Sequence, residues 1–342
     1  MRALLLLLSA ALAQAAVDGT VVNKTTGNPQ PGATVTLYKL GGAGMESIES
    51  VTSGAGGRFT INQDAKGPHM IQTAWAGVQY SHMLPEGSPG TGITIEIFDS
   101  SPKAGAAKVS THMILFEPQE GQLTVNESFV MQNPGNTAFH NPKDGTLRFF
   151  LPEAAGGKVK VTATAPQGMP VERIAEKTAQ AGLYAVDFAV KPGETRFDLT
   201  YTLPYSPPAV FATRVAQKDT PTRIVVPAGV TAKGEGLQLL GQEPSTQASI
   251  YETKERAIQV ELAGTGSLGE SSAPEEGEGG GLQQIRPAVY ERLGWILGLS
   301  ALILLAGFLL LYRKASPVAS QGAVAAARGA GKPDTKRGKR RG

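Results

Sequence analysis

Apolar and polar residues alternate over short stretches along most of this chain, the period of a strand with one face in a core and the other in water. Val35 and Leu37 sit among Thr34, Thr36 and Tyr38, and Phe59 and Ile61 repeat the pattern. Ile71 and Trp75, then Val78 and Tyr80, continue it, and Ile93, Ile95 and Ile97 alternate with Thr94 and Glu96. Turn-forming clusters separate these runs, among them Thr26-Gly27-Asn28-Pro29, Gly54-Ala55-Gly56-Gly57 and Pro85-Glu86-Gly87. Short strands closed by frequent turns predict a small β-sandwich over residues 17–100. Residues 102–106 read as a short linker, and 107–266 as a second, larger β-sandwich region. Its clearest alternation lies in Leu147, Phe149 and Leu151, in 184–190, in 196–203 and in 258–262. Pro192-Gly193-Glu194 reads as a turn that makes 184–190 and 196–203 adjacent antiparallel strands. Ser206-Pro207-Pro208 marks a place where this region would divide, so one domain or two are both compatible with the pattern.

Two apolar runs break the alternation. Residues 1–16 carry one charge, an apolar stretch too short to span a bilayer, and small residues at Ala11, Ala13 and Ala15, the layout of a cleaved secretory signal. Leu293 to Tyr312 is twenty residues without a charge. As a helix it would reach roughly 30 Å, the thickness of the hydrocarbon core. Arg313 and Lys314 follow it directly as a topology flank, and 267–281 before it reads as a flexible acidic linker. Together these predict a single-pass protein of the bacterial cytoplasmic (inner) membrane. The β regions would stand outside the cytoplasm, periplasmic or extracellular, with the 313–342 tail inside. Gly294 and Gly298 form a G-x-x-x-G step that would admit a second copy of the helix as a homodimer, with membrane lipid as the other partner.

Composition sharpens this in two places. The formal charge of +3 is uneven: 313–342 holds nine Lys and Arg against Asp334, a net +8, which leaves 1–312 at −5. The basic character is therefore a tail property, and nothing in the body points to nucleic acid. The chain has no cysteine, which removes disulfides, thiolate metal sites and cysteine nucleophiles.

Within 17–100, Gly19-Thr20-Val21, Thr26-Gly27, Pro31-Gly32-Ala33-Thr34-Val35-Thr36-Leu37 and Gly57-Arg58-Phe59 stand in the order of a known module. This stretch resembles the carboxypeptidase regulatory-like domain, a transthyretin-like sandwich also grouped with carbohydrate-binding-like folds. The chain departs from that family at Thr52-Ser53-Gly54, where Thr-Asp is usual, and at Gly67-Pro68-His69, where Gly-x-Tyr is usual. The resemblance implies a non-catalytic module, because in metallocarboxypeptidases it accompanies the catalytic domain and lacks the zinc ligands.

The chemistry-bearing residues support the same expectation. His69, His82, His112 and His140 have no partner at a zinc-ligand spacing, so no metal or other cofactor is expected. Gly264-x-Gly266-x-x-Gly269 matches a dinucleotide fingerprint only formally, since an acidic linker follows where a helix N-terminus is needed. No nucleophile elbow or paired acid–base set is recognisable, and no catalytic residue is assigned. Trp75 and Tyr80 are the ligand-binding candidates: on adjacent strands they offer a stacking platform for a sugar or peptide, or else they belong to the core. The expected function is that of a non-enzymatic, membrane-anchored envelope protein whose sandwiches bind carbohydrate or protein, or act as scaffold. The alternative is an accessory subunit of a membrane-bound enzyme or secretion complex.

Overall fold

The computed structural model describes residues 17–42, 44–63, 67–217 and 219–268. The expected signal at 1–16, most of the expected acidic linker, the expected span with Leu293, Gly294, Gly298 and Tyr312, and the tail with Arg313 and Lys314 lie outside the described residues. Among the described residues no helix is long and apolar enough to cross a membrane. The all-β expectation holds: apart from two single 3₁₀ turns, every described element is a strand.

The first sandwich contains β1 (Val17–Asn23), β2 (Asn28–Pro29), β3 (Thr34–Gly41), β4 (Gly44–Thr52), β5 (Arg58–Ile61), β6 (His69–Trp75), β7 (Val78–Leu84) and β8 (Ile93–Ile97). In one layer β1 pairs antiparallel with β5 and with the short β2, and parallel with β8; the other runs β4-β3-β6-β7. Val21, Phe59 and Ile95 from the first layer meet Val35, Leu37 and Ile71 from the second in one buried cluster. The alternation in the sequence is the cause, because every second side chain of these strands points between the sheets. At Gly19 two backbones approach closely: a β-carbon there would collide with the Ile93 carbonyl oxygen and the Phe59 ring.

The rest begins with β9 (Ser100–Ser101), β10 (Lys108–Gln119), β11 (Gly121–Asn133), β12 (Ala138–Phe139), β13 (Leu147–Phe150), β14 (Lys160–Thr164), β15 (Val171–Arg173) and β16 (Ala175–Lys177). It continues with β17 (Leu183–Val186), β18 (Gly193–Tyr205), β19 (Ala209–Arg214), β20 (Thr222–Val226), β21 (Thr231–Lys233), β22 (Gln238–Gln242), β23 (Ser249–Thr253) and β24 (Ala257–Ala263). An eight-stranded sheet of order β15-β14-β18-β11-β10-β20-β23-β22 carries the region. Two three-stranded sheets, β13-β17-β16 and β19-β24-β21, contribute to the same core. Phe116 from β10 and Phe211 from β19 meet edge-on in it, ring centroids 4.7 Å apart.

Three features sharpen or correct the sequence expectation. First, β17 and β18 are not neighbours: β17 pairs with β13 and β16, whereas β18 pairs with β11 and β14. The chain crosses between layers through Phe188–Val190, pinned where Val190 exchanges backbone bonds with Phe139. Alternation reports that a strand has a buried face, and gives no information on which strand lies beside it. Second, the eight-stranded sheet and its core run through both sides of Ser206-Pro207-Pro208, since β10 pairs with β20. Third, the chain entering 102–106 is tied down, because β9 pairs in parallel with β12.

Candidate functional site

The two aromatic candidates fall on the inner face of the β4-β3-β6-β7 sheet, with Thr73 opposite Tyr80 and Trp75 opposite Val78. Tyr80 is buried and its hydroxyl donates to the Phe98 carbonyl at 2.9 Å. Trp75 is half-buried, packs against the first core, and donates its indole N–H to Asp99 Oδ1 at 3.0 Å. An exposed stacking platform is therefore not what these rings form, because both polar handles are spent inside the protein.

What they do form is a junction. Asp99 accepts from Trp75 and from the Asn23 side chain at 2.8 Å, while its own N–H donates to Thr25 Oγ1 at 2.9 Å. Thr25 Oγ1 in turn donates to the Asn136 carbonyl at 2.5 Å, reaching the loop between β11 and β12. Ser100 Oγ donates to the Ala76 carbonyl at 2.6 Å on the tight turn between β6 and β7. Ala138 and Ala189 from the second region pack on the first core. A chain of charge-assisted and backbone bonds thus couples the two sandwiches in place of a free hinge.

Lys191 sits at this junction with Nζ 4.8 Å from the Tyr80 ring centre. Burial lowers its pKa from 10.5 to about 8. The Tyr80 hydroxyl is pushed up to about 12, chiefly by burial, with the bond to Phe98 opposing and the Asp99 charge adding. Between about 8 and 10.5 the unfolded chain holds a proton that folded Lys191 has lost, so stability rises as pH climbs through that window. Denaturation midpoints measured between about pH 8 and 10 should rise more steeply for the native chain than for Lys191→Met. Equal slopes would show that Lys191 is not the group responsible.

A second polar cluster lies in the core of the large region and was not singled out by spacing. His112, Glu127, Tyr201 and Thr222 come from β10, β11, β18 and β20, adjacent strands of one sheet, and all face inward. His112 Nε2 lies 2.7 Å from Glu127 Oε1 and Nδ1 lies 2.8 Å from Thr222 Oγ1, so both ring nitrogens are used. Phe129 stacks flat on the imidazole at 4.3 Å. Burial first, then the Glu127 charge, raises the Tyr201 pKa well above its ordinary value, and its hydroxyl makes no hydrogen bond of ordinary geometry. This cluster is enclosed by core residues, and a substrate would have to part the sheets to reach it. Two of the other histidines have partners elsewhere: His69 Nδ1 lies 3.0 Å from the Gly67 carbonyl oxygen, and His140 pairs with Asp187 at 3.0 Å. Among the described residues no group of three or more His, Asp or Glu comes together as a metal site.

An open groove lies elsewhere, on the two smaller sheets. There β13 is an outer strand of one and β19 an outer strand of the other. Side chains bridge them at one end: Gln217 Nε2 donates to the Arg148 carbonyl at 2.8 Å, and the Arg214 guanidinium lies 4.2 Å over the Phe150 ring. Beyond that bridge lies an open groove of about 1000 Å³, bordered by Phe150–Pro152, the 177–184 hairpin and Ala212–Arg214. Its volume is at the upper end of small-ligand sites. Lys177 and Arg214 are its cations and Glu153 its anion, and among the described residues neither cation pairs with a carboxylate. No sequence signal marked it, because its walls come from segments far apart in the chain, 150–157, 177–184, 212–214 and 257–259.

Comparison with known proteins leaves the assignment to this geometry. No family model matches the chain, and no curated protein matches it. Among solved structures, it is similar to an M1 zinc metallopeptidase from Deinococcus radiodurans with a Tyr-Ser-Ala substrate, at 14% identity and a TM-score of 0.25. That match covers 46% of this chain and 42% of the other. A second structure of the Deinococcus radiodurans enzyme gives 14% and 0.24 over the same shares. This chain thus spans under half the length of those peptidases, and a TM-score so low places no constraint on its activity.

Proposed function

We propose that this chain is a non-catalytic, single-pass membrane protein of the bacterial envelope whose exported β unit binds a carbohydrate or protein partner. The observation that carries the binding is the groove beside Phe150 and Arg214, an open site whose cations Lys177 and Arg214 meet no carboxylate among the described residues. The anchoring rests on the charge-free run from Leu293 to Tyr312 and its Arg313-Lys314 flank. The regulatory-like pattern from Gly19 to Phe59 supports a module that presents surfaces rather than performs chemistry. Trp75 and Tyr80 serve the junction in this reading, and the groove replaces them as the ligand site.

The test is a binding survey with the full chain reconstituted in lipid nanodiscs, against a glycan array and a panel of purified envelope proteins. Saturable binding to either is expected; none to either overturns the reading and leaves a spacer. A second reading, an accessory subunit working through its span, is favoured by the Gly294 and Gly298 step. Exchanging 293–312 for an unrelated span should abolish function under that reading and preserve it under the first.

A further inference from the structure

The groove beside β19 has a property that follows from strand register. Among the described residues β19 pairs with β24 alone, Ala209 opposite Leu262 through Arg214 opposite Ala257. Val215 N–H donates to the Arg256 carbonyl at 2.8 Å in continuation of that register. Backbone groups alternate sides along a strand, so Val215, Thr213 and Phe211 bond toward β24. The N–H and C=O groups of Val210, Ala212 and Arg214 therefore face the other way, to the free edge, and two of these residues line the groove. The same reasoning applies to the opposite wall. Leu151 N–H donates to the Gly182 carbonyl, which places Leu151 and Phe149 toward β17 and turns Arg148 and Phe150 outward. The Arg148 carbonyl is indeed the one that Gln217 reaches. Strand groups facing an open gap, those of Ala212 and Arg214 on one side and of Phe150 on the other, are the template for an added strand.

Side chains specify what such a strand must carry. Along β19 Phe211 is buried and Thr213 half-buried, while Val210, Ala212 and Arg214 are exposed. A strand laid beside it would present alternate side chains inward, toward the sandwich, and outward, beside Arg214 and the exposed Lys177. We propose that this edge binds an extended peptide segment of a partner protein, alternating apolar and acidic, which adds as a strand to β19 inside the groove. The proposal rests on the binding reading above and names the partner class for that site. Backbone bonds to Ala212 and Arg214 supply affinity, and the two cations supply the preference for acidic side chains.

The probe is a capped ten-residue peptide of alternating valine and glutamate, titrated by fluorescence anisotropy onto the full chain in detergent micelles. Its controls replace glutamate by lysine or place proline at every third position. Saturable binding of the acidic peptide alone is expected. Ala212→Pro removes an N–H that faces the free edge without touching the β24 ladder, and should weaken binding about tenfold or more. Lys177→Glu, at an exposed position, should weaken it several-fold, and more at low salt. Equal binding of the lysine peptide, or equal binding by Ala212→Pro, overturns the proposal. So does binding that appears only when Glu270, Glu275, Glu276 and Glu278 are all changed to Gln, which would make the chain's own linker the occupant. The variants are also run in the glycan and envelope-protein survey. A partner held equally by the native chain and Ala212→Pro sinks the strand-edge proposal but keeps the binding reading, whereas no partner at all sinks the reading.

Discussion

Glu127→Ala is expected to cost about 1–3 kcal/mol of folding stability, the range for leaving a buried polar group without its hydrogen-bond partner. The carboxylate is 2.7 Å from His112 Nε2, and both residues are almost fully enclosed. Deleting it leaves an imidazole nitrogen without a partner on a side where Phe129 and core aliphatics exclude water. It also removes the one acid toward which the Tyr201 hydroxyl is turned. The double variant His112→Leu/Glu127→Leu should recover much of the loss, because two apolar side chains replace a pair that had to be desolvated. Urea denaturation of the native chain, His112→Leu, Glu127→Leu and the double variant measures the coupling directly. A single-variant loss below about 1 kcal/mol would mean that water reaches the pair and that the core is looser than its packing implies.

Phe116→Ala should cost about 3–5 kcal/mol, because it empties a fully buried site in a close-packed core. Its consequence for function is more specific than the global loss. Phe116 meets Phe211, the inward residue of β19, so the cavity opens beneath the strand that borders the groove. Amide exchange should therefore accelerate in β19 and β24 ahead of the first sandwich, whose separate core does not include Phe116. Uniform acceleration across both cores would show that the junction at Asp99 makes them one cooperative unit. Peptide binding at the groove should weaken along with β19 protection, since an edge that is not held cannot template a strand.

Much of the fold was legible in the alternation. Val35, Leu37, Phe59, Ile61, Ile71, Ile93, Ile95 and Ile97 are all buried in the first core, as their period requires. Leu147, Phe149, Phe197, Leu199, Ile258 and Val260 are likewise buried in the second. Pairing was less legible, and the crossing between β17 and β18 shows why: two amphipathic strands joined by a Pro-Gly turn can lie in one sheet or in two facing sheets with the same sequence pattern. Trp75 and Tyr80 stand out in the sequence by their rings, yet their role is set by Asp99 and Phe98, which carry no sequence signal. His112 and Glu127 lie fifteen positions apart, a separation that means nothing until β10 and β11 pair and bring Ile114 opposite Glu127.

By itself, the sequence determined the all-β class, the residues that fill the two cores, the absence of any thiol chemistry, and the charge-free run that sets the expected topology. These are local quantities: period, composition and run length survive without knowledge of what lies beside what. Tertiary structure alone decided the strand order, the polar junction, the buried His112–Glu127 pair and the open edge of β19. Each of these depends on residues far apart in the chain meeting at hydrogen-bonding distance. Such meetings are fixed by which sheets pack together, and a repeating pattern common to every strand cannot encode them.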